Sequence, residues 1–143
     1  MLTGQIRNQV DQIWQSFWSG GVANPLSVIE QITYLLFIKR LDELHTLEES
    51  KAATLGRPME RRIFPGGPDP KGRPYADLRW SRFRNFEPRE MYAVVDEHVF
   101  PFLRSLGEEG SSYGKQMRDA RLGIPNPGLL AKVVQMGSVA QIP

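Results

Sequence analysis

The residues of this chain that could do chemistry fall into four groups: a Gly/Pro-rich loop with a lysine, arginines set between aromatics, two histidines, and paired carboxylates. The loop Gly66-Gly67-Pro68-Asp69-Pro70-Lys71-Gly72-Arg73 has the composition of a phosphate cradle. A true cradle turns backbone N–H groups onto the phosphates and then starts a helix with Lys-Ser or Lys-Thr. Here Pro68 and Pro70 remove two donors and Arg73-Pro74 follows Gly72, so the stretch reads as a solvent-exposed loop. The run Arg79-Trp80-Ser81-Arg82-Phe83-Arg84-Asn85-Phe86 interleaves cations with rings. That combination suits nucleic acid, because cations neutralise phosphates and guanidinium planes stack. It also reads as aromatics anchoring a segment whose arginines form solvated or interfacial ion pairs. Arg57, Arg61 and Arg62 make a second basic cluster open to both readings.

His45 falls near the end of a helical pattern, where a cation would favour the helix dipole, and His98 falls on an apolar face. Neither sits at metal-ligand spacing from other histidines and carboxylates, so both are expected to be structural. Asp42/Glu43, Glu48/Glu49 and Asp96/Glu97 read as exposed helix faces rather than acid–base pairs. The absence of cysteine excludes disulfides, thiolate metal sites and cysteine nucleophiles. No nucleophile–base pair, metal cluster or cofactor loop can be assembled, so no catalytic, cofactor-binding or metal residue is expected in this chain.

Charge is distributed unevenly. The net charge is +2, yet residues 57–89 hold nine basic and four acidic side chains, and eight of the nine are arginine. This segment supplies all of the positive excess, in the side chain best suited to bidentate phosphate or carboxylate contacts.

The elements that must position these groups are helical. Residues 3–18 predict an amphipathic helix, with Thr3 as N-cap and Ile6, Val10, Ile13, Trp14, Phe17 and Trp18 recurring at spacings of three and four. Gly20-Gly21 stops it. Asn24-Pro25 opens a second helix over about 25–49, roughly 37 Å long at 1.5 Å per residue. Its middle, with Tyr34 and Phe37, is apolar almost all round, which implies burial against more than one neighbour. Trp14, Phe17, Trp18, Tyr34 and Phe37 are the candidate core or interface aromatics. Gly and Pro rule out a continuous helix over 56–88, leaving turns and short helical pieces. Helix resumes over about 87–106, where Pro101 predicts a kink or break. A short polar helix is expected over 115–121, and Asn126-Pro127 opens a last one over 127–136. The expectation is an all-α single domain, a helical bundle with one long Pro/Gly/Arg-rich irregular excursion.

The stretch VIEQITYLLFIKRLDEL, residues 28–44, is too interrupted by charge to cross a bilayer, which needs roughly 20 apolar residues. Residues 1–10 carry no apolar leader, so a cytoplasmic location without membrane contact is expected.

In QVDQIWQSFWSGGVANPLSVIEQITYLLFIKRLDEL a short helix ending in Trp-x3-Trp runs into Asn-Pro and an apolar helix with a basic end. Here the chain resembles the N-terminal domain of the modification subunit of type I restriction–modification systems, an adenine-N6 DNA methyltransferase. The resemblance is densest over residues 5–49 and extends through RWSRFRNF and IPNPGLLAKVV. It implies a helical domain that precedes an S-adenosylmethionine-binding catalytic domain and serves assembly around DNA. It implies as partners the specificity subunit, a second modification subunit, DNA and the restriction subunit. The family's cofactor loop and Asn-Pro-Pro-aromatic motif are missing: Asn126-Pro127-Gly128 lacks the ring that would stack on a flipped base. The catalytic domain is therefore expected to lie outside this chain, with S-adenosylmethionine a cofactor of the full-length parent. The candidate DNA contacts are Arg57, Arg61, Arg62, Lys71, Arg73, Arg79, Arg82 and Arg84. The alternative is a pure protein–protein module whose basic segment docks on the specificity subunit or the catalytic domain.

Overall fold

The computed structural model describes residues 4–22, 24–59, 62–108 and 117–139. It is all-α: helices α1 (Gly4–Ser19), α2 (Pro25–Leu55), α3 (Trp80–Phe83), α4 (Pro88–Val94), α5 (Phe100–Glu108) and α6 (Pro127–Val139). A 3-10 turn, Tyr75–Leu78, precedes α3, and a π turn, Val95–Val99, joins α4 to α5. No strand forms among the described residues; Pro68 and Pro74 make one isolated antiparallel bridge.

The helix boundaries follow local chemistry. Gly21, at φ +93°, closes α1 in the left-handed conformation, while the Val22 N–H reaches back to the Phe17 carbonyl at 2.9 Å. Asn24 caps α2 by accepting from the Leu26 N–H at 2.9 Å. The helix then runs six residues beyond its expected end, because Ser50-Lys51-Ala52-Ala53-Thr54-Leu55 holds no breaker before Gly56, which closes it at φ +65°. At about 46 Å, α2 is the spine of the molecule. Asn126 accepts from the Leu129 N–H at 2.9 Å and opens α6. Thr3 lies outside the described residues, as do the side chains of Ile6 and Val10.

Pro101 does not break its helix. It cannot donate to the carbonyl four residues back, and the turn before it widens so that the Phe100 N–H bonds to the Val95 carbonyl. Helical backbone therefore continues from α4 through the π turn into α5.

The short helix expected at 115–121 is not formed. Residues 115 and 116 lie outside the described residues, and from Met117 onward there is one turn followed by irregular backbone. Side chains from the helices take up its polar groups instead. Arg104 donates to the Ala120 carbonyl at 2.9 Å, Gln31 donates to the Arg121 carbonyl at 3.0 Å, and Tyr92 donates to the Ile124 carbonyl at 2.7 Å. Gln31 also accepts from the Gly123 N–H at 2.9 Å.

The core is continuous. α6 lies between α1 and α4, and α3 packs on α2. Phe17, Ile38, Phe64, Phe83, Phe100, Leu103 and Leu130 are fully enclosed. Of the candidate core or interface aromatics, Trp18 is not core: one residue beyond buried Phe17, it is 56% exposed. Trp14 and Phe37 are half-buried, and Tyr34 meets Phe100 edge-on at 5.7 Å.

Replacing buried Gln31 by Ala leaves the Gly123 N–H and Arg121 carbonyl unpaired. Gln31→Ala should cost about 2–3 kcal/mol in urea unfolding, with an unchanged denaturant slope.

Candidate nucleic-acid interface

The excursion between α2 and α4 is folded around buried acids. Asp42, expected on an exposed face, is 5% exposed and points inward. One carboxylate oxygen takes the Arg79 Nε–H, and the other takes the Ser81 N–H at 2.8 Å. Arg79 is completed by Thr46 at 2.8 Å and Glu49 at 3.0 Å. Burial opposes its charge, but Asp42 and Glu49 together raise its pKa, so the guanidinium is held as a cation. Arg79 is a structural bolt between α2 and α3 and leaves the set of available DNA contacts.

Asp69 organises the Gly/Pro loop in the same way. It is buried, and one oxygen accepts from the N–H groups of Lys71 at 3.0 Å and Arg73 at 2.8 Å. The other meets Nδ1 of His98 at 2.5 Å. Because a carboxylate only accepts, His98 must carry its proton on Nδ1. Burial pushes the Asp69 pKa up, but the hydrogen bonds from His98 and from the Arg73 and Lys71 amides outweigh it and hold the carboxyl below its ordinary value. His98 thus has a carboxylate partner that sequence spacing did not suggest, 29 residues upstream. Ser105, which lines the small cavity beside this pair, donates its hydroxyl to the Phe102 carbonyl at 2.6 Å, so no nucleophile is assembled. No metal-holding cluster occurs among the described residues.

His45 is also internal, contrary to a role as a helix-end cation. Its Nδ1 accepts from the backbone N–H groups of both Ile63 at 3.3 Å and Phe64 at 3.2 Å. Phe64 packs on the imidazole edge-on at 5.5 Å. Burial and then the Arg79 charge lower the His45 pKa, so the ring is held neutral.

The predicted contact residues therefore separate. Arg73 lies 3.0 Å from Asp77, 2.9 Å from Glu90 and 5.4 Å over the Phe86 ring, and it is largely occupied inside the fold. Arg82 touches Asp77 at 3.4 Å but leaves 60% of its side chain in solvent. Arg57, Arg62, Lys71 and Arg84 are exposed; Arg61 lies outside the described residues. Trp80 and Phe83 are buried, at 4% and 0% exposure, while Arg82 and Arg84 flank Phe83 on the outside. One short helical turn thus sends its rings inward and its cations outward.

The family model of the HsdM N-terminal domain matches residues 6–136. The chain belongs to that family. It corresponds to the N-terminal domain of the modification (M) subunit of type I restriction–modification systems. Neither the curated proteins nor the solved structures yield a match. No helix among the described residues of this HsdM domain is long and apolar enough to cross a membrane.

Sequence reading missed Asp42, Asp69 and Asp77 as the organising acids of the domain. A signal existed for the first: Asp42 follows Ile38 by four residues and precedes His45 by three, in register with the buried face. A signal existed for Asp69 too, since Asp-Pro-Lys-Gly is turn chemistry in which the acid bonds backbone ahead of it.

Two outcomes are expected. Asp42→Ala strands the Arg79 charge and should cost about 3 kcal/mol, lowering Tm by roughly 10 °C in a thermal melt. His45 has a folded pKa below its unfolded value of about 6.5, so its contribution is complete above that pH and is lost as pH falls through the folded value. His45→Asn keeps an acceptor near Nδ1 without titrating, so its unfolding free energy should fall less than wild type between pH 7 and pH 5.

Proposed function

We propose that this HsdM N-terminal domain is a non-catalytic assembly and DNA-contact module that touches phosphates and does not read bases. The carrying observation is the division within 79–86: Trp80 and Phe83 are buried in the core, whereas Arg82 and Arg84 face solvent. Rings enclosed in a core cannot stack on bases, whereas exposed guanidinium groups remain able to neutralise phosphates. Arg57, Arg62 and Lys71 extend the same excursion with further exposed cations. On this reading the specificity subunit supplies sequence recognition. A second M subunit and the restriction subunit complete the assembly. S-adenosylmethionine and methyl transfer belong to the catalytic part of the M subunit, and the location is cytoplasmic.

The competing reading, a protein-docking excursion without DNA contact, calls for large apolar side chains exposed along it. Those exposed among the described residues, Trp18, Leu26, Ile29, Leu47 and Leu55, lie on α1 and α2 instead. That distribution favours DNA for the excursion and protein for α1 and α2.

Fluorescence anisotropy with a generic DNA duplex, titrated at several salt concentrations, tests the reading. Five phosphate contacts would give a log–log salt slope of about −4.5. Arg82→Ala and Arg84→Ala should each weaken binding alike on unrelated sequences and reduce that slope by about one. Binding whose slope survives both changes, or no binding at low salt, would move these arginines to a protein interface.

A further inference from the structure

α2 is buried along one side by Val28, Gln31, Leu35, Ile38, Leu41 and His45. Its opposite side nevertheless carries Leu26 at 70% exposure, Ile29 at 52% and Leu47 at 50%, with half-buried Leu36 between them. A helix with solvent on one side is expected to be polar there, so this face is unpartnered. Its positions advance alternately by three and four, the spacing of a coiled-coil seam. Over residues 29–54 the seam extends roughly 37 Å, more than three heptads, with Ile29, Leu36 and Leu47 as its apolar positions and Arg40 and Glu43 at its centre.

The seam is also self-complementary. Reflected about the point midway between Arg40 and Glu43, as an antiparallel twofold requires, each position meets a chemically matching one. Arg40 of one copy falls opposite Glu43 of the other, and the reverse pair follows by symmetry. Leu36 falls opposite Leu47, Thr33 opposite Ser50, and Ile29 opposite the methyl-bearing Thr54. Arg40 and Glu43 are 66% and 53% exposed and 3.3 Å apart within one helix, so both are already on the surface the pair would cover. The charges balance in sign along this face, which fits protein better than DNA.

We propose that the outer face of α2 pairs with the same face of a second copy of this chain, antiparallel, through a Leu36/Leu47 seam centred on reciprocal Arg40 and Glu43 ion pairs. This gives the assembly role a surface and rests on that role for its place in a complex. The DNA contact is independent of it, so failure here leaves the salt-slope result untouched.

Sedimentation equilibrium of the chain at about 1–100 μM tests the pairing, because charge placement predicts a pattern that folding defects do not. Arg40→Glu puts acid opposite acid, and Glu43→Arg puts base opposite base, so each variant alone should be at least tenfold weaker as a dimer. An equimolar mixture of the two restores opposite charges at both positions, and it should dimerise as wild type does. The doubly substituted chain should also recover. Leu47→Asp should be monomeric with an unchanged far-UV spectrum. A wild-type chain that stays monomeric at 100 μM overturns the proposal, as does a dimer indifferent to these substitutions or singles not rescued by mixing.

Discussion

The carboxylate of Asp42 sits at the meeting point of everything that distinguishes this domain from a plain bundle. It projects from the middle of the longest helix into the interior, where an isolated anion would be costly. It is tolerated because Arg79 and the Ser81 amide bind its two oxygens separately. Those two bonds set where α3 begins and how it is rotated. The rotation in turn drives Trp80 and Phe83 into the core and leaves Arg82 and Arg84 outside. Trp80 then closes on the end of α6, donating its ring N–H to Ser138 at 3.0 Å and lying so near Gly137 that a Cβ there would come within 3.2 Å of the ring, tighter than ordinary contact. One buried acid thus connects the spine, the excursion and the last helix.

The same device recurs wherever the chain leaves regular helix. Asp69 gathers the N–H groups of its own loop and the His98 imidazole, His45 receives two backbone amides, and Gln31 takes up the Arg121 carbonyl and the Gly123 N–H where the chain is not helical. The aromatics do the complementary work: Phe64 stacks on Phe102 at 5.2 Å, and Tyr75 meets the same ring at 5.8 Å. An excursion rich in Gly and Pro is thereby held in place without a strand.

This internal use of polar groups reshapes the functional picture. A positive segment is less of a binding surface than its net charge implies when Arg79 and Arg73 are tied to Asp42, Glu49, Asp77 and Glu90. What remains facing solvent is a smaller set, Arg57, Arg62, Lys71, Arg82 and Arg84. Among the described residues the large exposed apolar side chains lie elsewhere, on α1 and α2.

The sequence by itself determined the all-α class, the N-caps Asn24 and Asn126, the Gly21 stop, and membership of the HsdM family. These are local matters: a cap, a breaker or a periodicity of 3.6 acts over one or two turns, and a family signature is a property of order alone. The loss of helix after Met117, the survival of helix through Pro101 and the outward turn of Trp18 were decided by packing. So was the division of the arginines into internally paired and solvent-facing ones. Arg79 and Arg84 are the same residue type five positions apart in one run, and no local rule separates them. They differ because Asp42 and Glu49, 37 and 30 residues upstream of Arg79, arrive beside that residue only when α2 and α3 are folded together. Ion pairing of that kind is a long-range fact, and only the tertiary structure holds it.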